Sequence, residues 1–322
     1  MSVPGAPWAS VILPTYNRAR LLPRAIASVL AQSMTDLELI VVDDGSTDET
    51  ESVVRSYGDA RLRFIRADVN HGDAAARTIG AASARGQWLA FQDSDDEWLP
   101  EKLRAQRECA AALPEDYAIV GSTLLRIAAS GFVQRISWPT RQSAPPEVDT
   151  VPFLAALQCY LQSALVRKAA FDAVGGFTSE LATGSDFELC VRLVSQYRFA
   201  AIDAPTALAY QTHDGISASV EGRRELLRYL LERHSVPMSM HPFVHSRCTY
   251  EYAKAALVSG HGRTGLLALL SSLRSDPGRL YAWVMLLALG LGPAGVRALI
   301  RLNQALRERG VSRPSGAVLQ AA

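Results

Sequence analysis

The segment Phe91-Gln92-Asp93-Ser94-Asp95-Asp96-Glu97-Trp98 follows an apolar run, Trp88-Leu89-Ala90-Phe91, that reads as a buried strand. Three carboxylates, Asp93, Asp95 and Asp96, then fall close together. Gathering negative charge at the end of a buried strand costs free energy unless something positive sits there. Two readings stay open on this segment alone. One is a hydrated divalent cation, Mg²⁺ or Mn²⁺, carrying a diphosphate, because such hard ions take few carboxylates and keep phosphate oxygens as further ligands. The other is a strand-to-helix turn, with Asp96 capping a helix that begins near Pro100.

Upstream, the chain alternates strand and helix. Ala9–Leu13 is a short β-branched run, broken by Pro14-Thr15-Tyr16-Asn17, and Leu21–Gln32 has helical spacing at Leu22, Ile26, Val29 and Leu30. Leu37–Val42 is a second strand, and Ser46-x-x-Glu49 has the form of a capping box opening a helix that reaches Tyr57. Leu62–Ile65 is a third strand, followed by the Ala-rich helix Ala74–Ala84. This alternation predicts right-handed βαβ units on a parallel sheet, in which ligands bind beyond the carboxyl ends of the strands. Four polar clusters sit at those ends: 14–18, 43–48, 70–73 and 93–96. Neither GxGxxG nor GxxxxGK[ST] is present, which disfavours a dinucleotide site and a P-loop.

A chain of 322 residues, 48% hydrophobic and 20% charged, can bury a substantial core. Its net charge of +1 argues against a dedicated nucleic-acid binder. The charge is unevenly spread. From Gly260 onward eight Arg stand against Asp276 and Glu308, a net of +6, which leaves −5 for residues 1–259. Four scattered cysteines, Cys109, Cys159, Cys190 and Cys248, form no CxxC pair, so neither zinc nor a disulfide framework is expected, and a reducing cytosolic compartment fits. The start of the chain lacks the basic and long apolar regions of a signal peptide.

Downstream, Tyr117–Ser137 reads as short strands with a turn near Ser130-Gly131, and 138–150 as a Pro-rich loop. Ser163–Arg167 is a strand, Ala169–Val174 a helix stopped by Gly175-Gly176, and a further helix begins near Asp186. Ala207–His213 is a last strand, and beyond about residue 220 only helices are expected. Residues 280–296 carry no charge over 17 positions but are interrupted at Gly290-x-Gly292-Pro293. A buried helical pair, an interfacial membrane element and a short span are the alternatives there.

Read together, SVILPTYNR (10–18), VVDDGSTDET (41–50), NHGDAAARTIG (70–80), FQDSDDEW, VGGF (174–177) and GSDFELCVRL (184–193) resemble glycosyltransferase family 2. The resemblance covers roughly residues 8–215, in the family's order and spacing. It implies a GT-A fold over 1–219, an α/β architecture whose mostly parallel sheet is flanked by helices, to which the all-helical pattern of the residues beyond adds an extension over 220–322. It implies metal-dependent, inverting transfer of a sugar from a nucleotide-diphosphate donor, a UDP- or dTDP-sugar, to a saccharide or lipid-linked acceptor. By position, Pro14, Thr15, Tyr16 and Arg18 would line the nucleoside pocket, and Asp44 or Asp43 would accept from the base, the alternative being a turn role. Arg77 would face base or phosphate, or else lie on a helix surface. Asp93 would touch ribose, Asp95 would hold Mg²⁺ or Mn²⁺, and Asp96 would support or cap. Asp186 would be the general base, with Glu188 as fallback. Many relatives carry Glu-Asp where this chain has Ser185-Asp186, and a cap role for Asp186 is the alternative. His213 would add a metal ligand or contact diphosphate, or be structural. The expected place of work is the inner face of the cell membrane, reached peripherally through the C-terminal region. The competing function classes are a non-catalytic nucleotide-sugar-binding protein of the same fold and a sugar nucleotidyltransferase. The latter normally needs a Gly-rich basic loop where this chain has PTYNR.

Overall fold

The computed structural model describes residues 5–128, 130–138, 160–210, 219–234 and 242–309. These divide into two compact units, the first drawn from residues 5–180 and 185–210, the second from 181–184 and 219–309.

The first unit is a sheet with helices. Strands β1 (Ala9–Thr15), β2 (Leu37–Asp43) and β3 (Leu62–Arg66) alternate with helices α1 (Leu22–Leu30), α2 (Thr50–Arg55) and α3 (Asp73–Ser83). Strand β4 (Trp88–Phe91), the two-residue β5 (Glu97–Trp98) and helix α4 (Lys102–Ala111) follow. Then come the hairpin β6 (Tyr117–Ile127) and β7 (Val133–Ile136), a 3-10 turn at Leu161–Ser163, and β8 (Leu165–Arg167). Helices α5 (Lys168–Ala173) and α6 (Ser185–Gln196) and strand β9 (Arg198–Tyr210) complete it. Gly175 and Gly176 both take positive φ, +86° and +66°, and end α5 as their sequence predicts.

The strand order is β3-β2-β1-β4-β8-β6-β9-β5, with β7 on β6. The half β3-β2-β1-β4 is parallel throughout. The other half is mixed, because β8 runs antiparallel to both β4 and β6, while β6 and β9 are parallel. This has a consequence for the site. The carboxyl ends of β1, β2, β3 and β4 share one edge of the sheet, and the antiparallel β8 brings its amino end, with the turn before it, to that same edge. Strands β1 and β2 are buried along their whole length, and Gly80 lets α3 lie against Ile12, where a Cβ would come within 2.5 Å of Cγ2.

Two expectations are corrected here. Cys190 is disulfide-bonded, whereas Cys109 and Cys248 are not in disulfides. Wide spacing along the chain does not keep cysteines apart in a fold, so the argument from spacing to a reducing compartment lapses. The helix after β5 begins at Lys102 with Glu101 at its N-cap, so Asp96 does not cap it. The chain first spends Glu97 and Trp98 pairing antiparallel with β9.

The second unit is helical: α7 (Val220–Arg233), α8 (Pro242–Val258), α9 (Gly262–Ser275), α10 (Leu280–Gly290) and α11 (Gly292–Arg309). Its core gathers Tyr250, Ala253, Leu257, Leu269, Leu273, Met285 and Val296. The apolar stretch at 280–296 is broken between α10 and α11 at Gly292, which takes φ +77°. Among the described residues no helix is long and apolar enough to cross a membrane.

Candidate active site

The first three loops at the carboxyl edge are tied to one another. Asn17 takes φ 51°, uncommon for a non-glycine residue and frequent at functional loops. Its side-chain oxygen accepts from Thr47 N at 2.8 Å, and its own N–H donates to Ser46 Oγ at 2.8 Å. Ser46 is therefore occupied, and the expected capping box with Glu49 does not form. Asp48 does that work instead, accepting from Thr50 N at 3.0 Å and from Ala19 N at 3.1 Å. Asp43 is fully buried and accepts from Ser46 N at 2.9 Å, closing the turn. Asp44 accepts from the backbone N–H groups of His71 and Gly72, at 3.0 and 2.7 Å, which pins the third loop to the second. Thr15 Oγ1 and Asp43 Oδ2, on paired positions of β1 and β2, are buried without a hydrogen-bond partner. Pro14 precedes Thr15 on β1, the Arg18 N–H donates to Thr50 Oγ1 at 3.3 Å, and Tyr16 is 43% exposed.

A second group lies across α3, the end of β4, the 3-10 turn and α6. Arg77, 7% exposed, is ion-paired with Asp73 on its own helix and with Asp93 Oδ1 at 2.6 Å. Gln162, from the 3-10 turn, donates to the other oxygen of Asp93 at 2.8 Å. Burial works against the Arg77 charge, but Asp73, Asp93 and Asp186 outweigh it and hold the guanidinium above its usual range. Burial pushes the Asp73 carboxyl up to about 6, with Arg77 pulling down and Asp93, Asp186 and Asp44 pushing up. Asp186, in the first turn of α6, is likewise held above the ordinary range by burial, against the pull of Arg77 and the Phe187 N–H. The fallback carboxylate, Glu188, faces elsewhere. It is paired with Arg192 at 2.6 Å, and Arg192 also donates to the carbonyls of Val174 and Gly176, so Glu188 fastens α6 to the glycine turn.

The third group is the Asp95–Glu97 turn. Arg24 of α1 donates to the Asp95 carbonyl and lies over the Tyr210 ring, 3.8 Å from its centre. Asp96 accepts from Tyr210 N at 2.9 Å, and Tyr210 Oη donates to Glu97 at 3.0 Å. Asp96 thus holds the end of β9, not a helix. Burial, then the charges of Asp93 and Asp95, push Asp96 well above the usual carboxylate range, with Arg24 and the Tyr210 N–H pulling the other way. Among the described residues no three His, Cys, Asp or Glu side chains gather closely enough to hold a metal unaided. The donor set nonetheless fits a hard divalent cation that takes one or two carboxylate oxygens and completes its shell on a ligand's phosphates. His213 lies outside the described residues.

Sequence reading therefore reached Asp44, Arg77, Asp93, Asp95 and Asp186, of which the structure brings Arg77, Asp93 and Asp186 into one charge cluster. It placed Asp73 at the sheet edge without a role, and it missed Gln162 and Arg24. Asp73 had a signal, an acidic residue four before Arg77 on a helix. Gln162 had none, because only the antiparallel course of β8 carries it to this edge. The turn that presents it is anchored from behind: Ser163 O accepts from Ser122 Oγ at 2.6 Å and from Gln106 Nε2 at 3.1 Å, and buried Lys102 orients that amide at 2.7 Å.

A mixed α/β sheet with acidic loops at one edge, and an acidic helix start near them, is the architecture of the GT-A fold. A family model described as Glycosyl transferase family 2 matches residues 10–171, and the chain belongs to that family. An uncharacterised glycosyltransferase of Haemophilus influenzae is 26% identical over 230 residues, 70% of this chain and 76% of that protein. The succinoglycan biosynthesis protein ExoO of Rhizobium meliloti is 41% identical over 113 residues, 35% of this chain and 32% of its own length. The Escherichia coli enzyme WfgD, named a UDP-Glc:α-D-GlcNAc-diphosphoundecaprenol β-1,3-glucosyltransferase, is 38% identical over 97 residues, 30% of this chain and 38% of its own length. The chain thus spans only about a third of those last two relatives. In fold, the structure is similar to Staphylococcus aureus TarS residues 1–349 in complex with UDP-GlcNAc, with TM-score 0.59 and 21% identity over 90% of this chain and 87% of that one.

Proposed function

We propose that this family 2 glycosyltransferase moves a sugar, with inversion and with the help of Mg²⁺ or Mn²⁺, from a UDP- or dTDP-sugar to a hydroxyl of a saccharide or lipid-linked acceptor at the inner face of the cell membrane. The observation that carries the reading is the Arg77 cluster, in which Asp93 is ion-paired with one buried guanidinium and Asp186 acts on the same cation through space. The relatives' polysaccharide and diphosphoundecaprenol names support the acceptor class, and the UDP-GlcNAc held by TarS supports the donor class.

In this mechanism Pro14, Thr15, Tyr16 and Arg18 line the nucleoside pocket. Asp44 accepts from the imide N–H of uracil or thymine, which discriminates against bases without that donor. Asp93 meets the ribose. A divalent cation held by Asp95, with His213 as a further ligand, would neutralise charge gathering on the leaving nucleoside diphosphate. Asp186 takes the proton of the acceptor hydroxyl as its oxygen bonds to the anomeric carbon. The bond from that carbon to the diphosphate oxygen breaks with its electron pair on the diphosphate, and the anomeric configuration inverts. Burial suits Asp186 to this role, because a base whose pKa is raised towards the working pH accepts a proton more readily.

The test is transfer from a panel of nucleotide sugars by wild type and Asp186→Asn. The variant should lose about 10²–10⁴-fold in kcat while still binding donor. Wild-type kcat/KM should rise with pH through a value above the ordinary aspartate range. A variant that transfers normally, or a wild type that binds donor without turnover on any acceptor, contradicts the assignment, and the second result favours a non-catalytic binding protein.

A further inference from the structure

The second unit carries an apolar surface that sugar transfer does not use. Helix α10 is apolar on every side, so burying one face leaves another without a partner. Ala282, Met285 and Ala288 form the buried face. On the other side Leu280, Val284, Leu287 and Leu291 recur at steps of four, three and four, one stripe of the helix. Leu280, Leu287 and Leu291 are 69%, 75% and 78% exposed. Trp283 borders them, half exposed, its indole N–H donating to Pro277 O at 2.9 Å. Helix α9 repeats the spacing with Arg263, Leu267, Leu270 and Arg274, all exposed, and Leu266 alongside.

Along the chain, the charge from Pro277 to Arg307 is of one sign, positive. No acidic residue separates Asp276 from Glu308, Asp276 is paired with Arg279 at 3.4 Å, and Arg297 and Arg301 of α11 are exposed. We propose that this face docks on an anionic lipid surface. Leu267, Leu270, Leu280, Leu287 and Leu291 enter the boundary between headgroups and acyl chains, Trp283 sits at headgroup level, and the arginines rest among the phosphates. A second copy of the chain would cover the leucines too, but a two-fold contact would set arginine borders against each other. The surface deepens the proposed function, on which it rests only for the acceptor's place at a membrane.

Full-length protein should sediment with phosphatidylglycerol–phosphatidylcholine vesicles, be released by salt, and bind pure phosphatidylcholine vesicles at least about tenfold more weakly. The triple variant Leu267→Ser, Leu287→Ser, Leu291→Ser changes only exposed positions. It should keep the wild-type melting temperature and lose about tenfold or more in vesicle binding. Brominated lipid should quench tryptophan fluorescence in the wild type only. Wild type remaining in the supernatant with anionic vesicles overturns the proposal, as does a variant that binds as tightly, or a wild-type dimer that the variant converts to monomer with vesicle binding unchanged. Donor turnover measured without lipid keeps the two readings apart: an active enzyme that ignores vesicles sinks the surface alone, and a vesicle binder without turnover sinks the transferase reading alone.

Discussion

Two acidic regions meet at the carboxyl edge of the sheet, and they solve the same electrostatic problem differently. Around Arg77 the charge is balanced from within, since one guanidinium answers Asp73 and Asp93 directly and Asp186 through space. At Asp96 no such balance is reached: crowded by burial and by two carboxylate neighbours, it is held well above the usual range despite Arg24. The difference separates a cluster that is held by the protein's own charges from the turn at which we propose that a ligand binds. A charge-balanced cluster can stand unaided, and a crowded buried carboxylate such as Asp96 is eased by a cation brought to the same turn.

The comparison breaks most plainly at Arg77. Arg77→Met leaves Asp73, Asp93 and Asp186 without their shared cation and should cost about 3–5 kcal/mol in stability, read from urea unfolding. A variant as stable as wild type would mean that the cluster is not balanced by this residue. A smaller effect is expected at Gln162, which holds the second oxygen of Asp93. Gln162→Leu removes one charge-assisted hydrogen bond and should raise the donor KM by about tenfold, with kcat changed less. An equal fall in kcat with KM unchanged would instead place Gln162 in the chemical step.

Taken per pH unit, the last effect is no larger than that at Gln162, and it sharpens the contrast from outside both regions. Lys102 is fully buried near the Trp98 ring, and burial pulls its pKa down to about 7. Between that value and the ordinary lysine value near 10.5, the unfolded chain binds a proton that the folded chain does not. Stability should therefore rise with pH across that window, by up to about 1.4 kcal/mol per unit. Lys102→Met should flatten this rise in melting temperature against pH. A wild-type curve already flat over the window would show that Lys102 stays charged when folded.

The parallel half of the sheet was legible almost residue by residue, because buried β-branched runs alternate with helices whose apolar spacing is regular. Trp88–Phe91 matches its strand as read, and the glycine stop after α5 lies where Gly175-Gly176 puts it. Legibility fell where a partner distant in sequence decides the local structure. Glu97 and Trp98 form a strand only because β9 lies beside them, and Asp96 therefore turns to Tyr210 N. Ser46 offered a capping box, but Asn17 N claims its hydroxyl. The site divided in the same way. Asp93 stood out among the carboxylates after a buried strand, and Arg77 and Asp186 were reached through the family resemblance, whereas Gln162 and Arg24 act through contacts 69 and 71 residues away.

The central claim is that the Asp95 turn takes a divalent cation together with a nucleoside diphosphate. Titration calorimetry of UDP into wild type and Asp95→Asn, each with Mn²⁺ and with chelator, tests it most directly. The account predicts wild-type binding at least about tenfold tighter with Mn²⁺, and a variant that no longer responds to the metal. Wild-type affinity unchanged by chelator, or a variant with the full Mn²⁺ response, would contradict it.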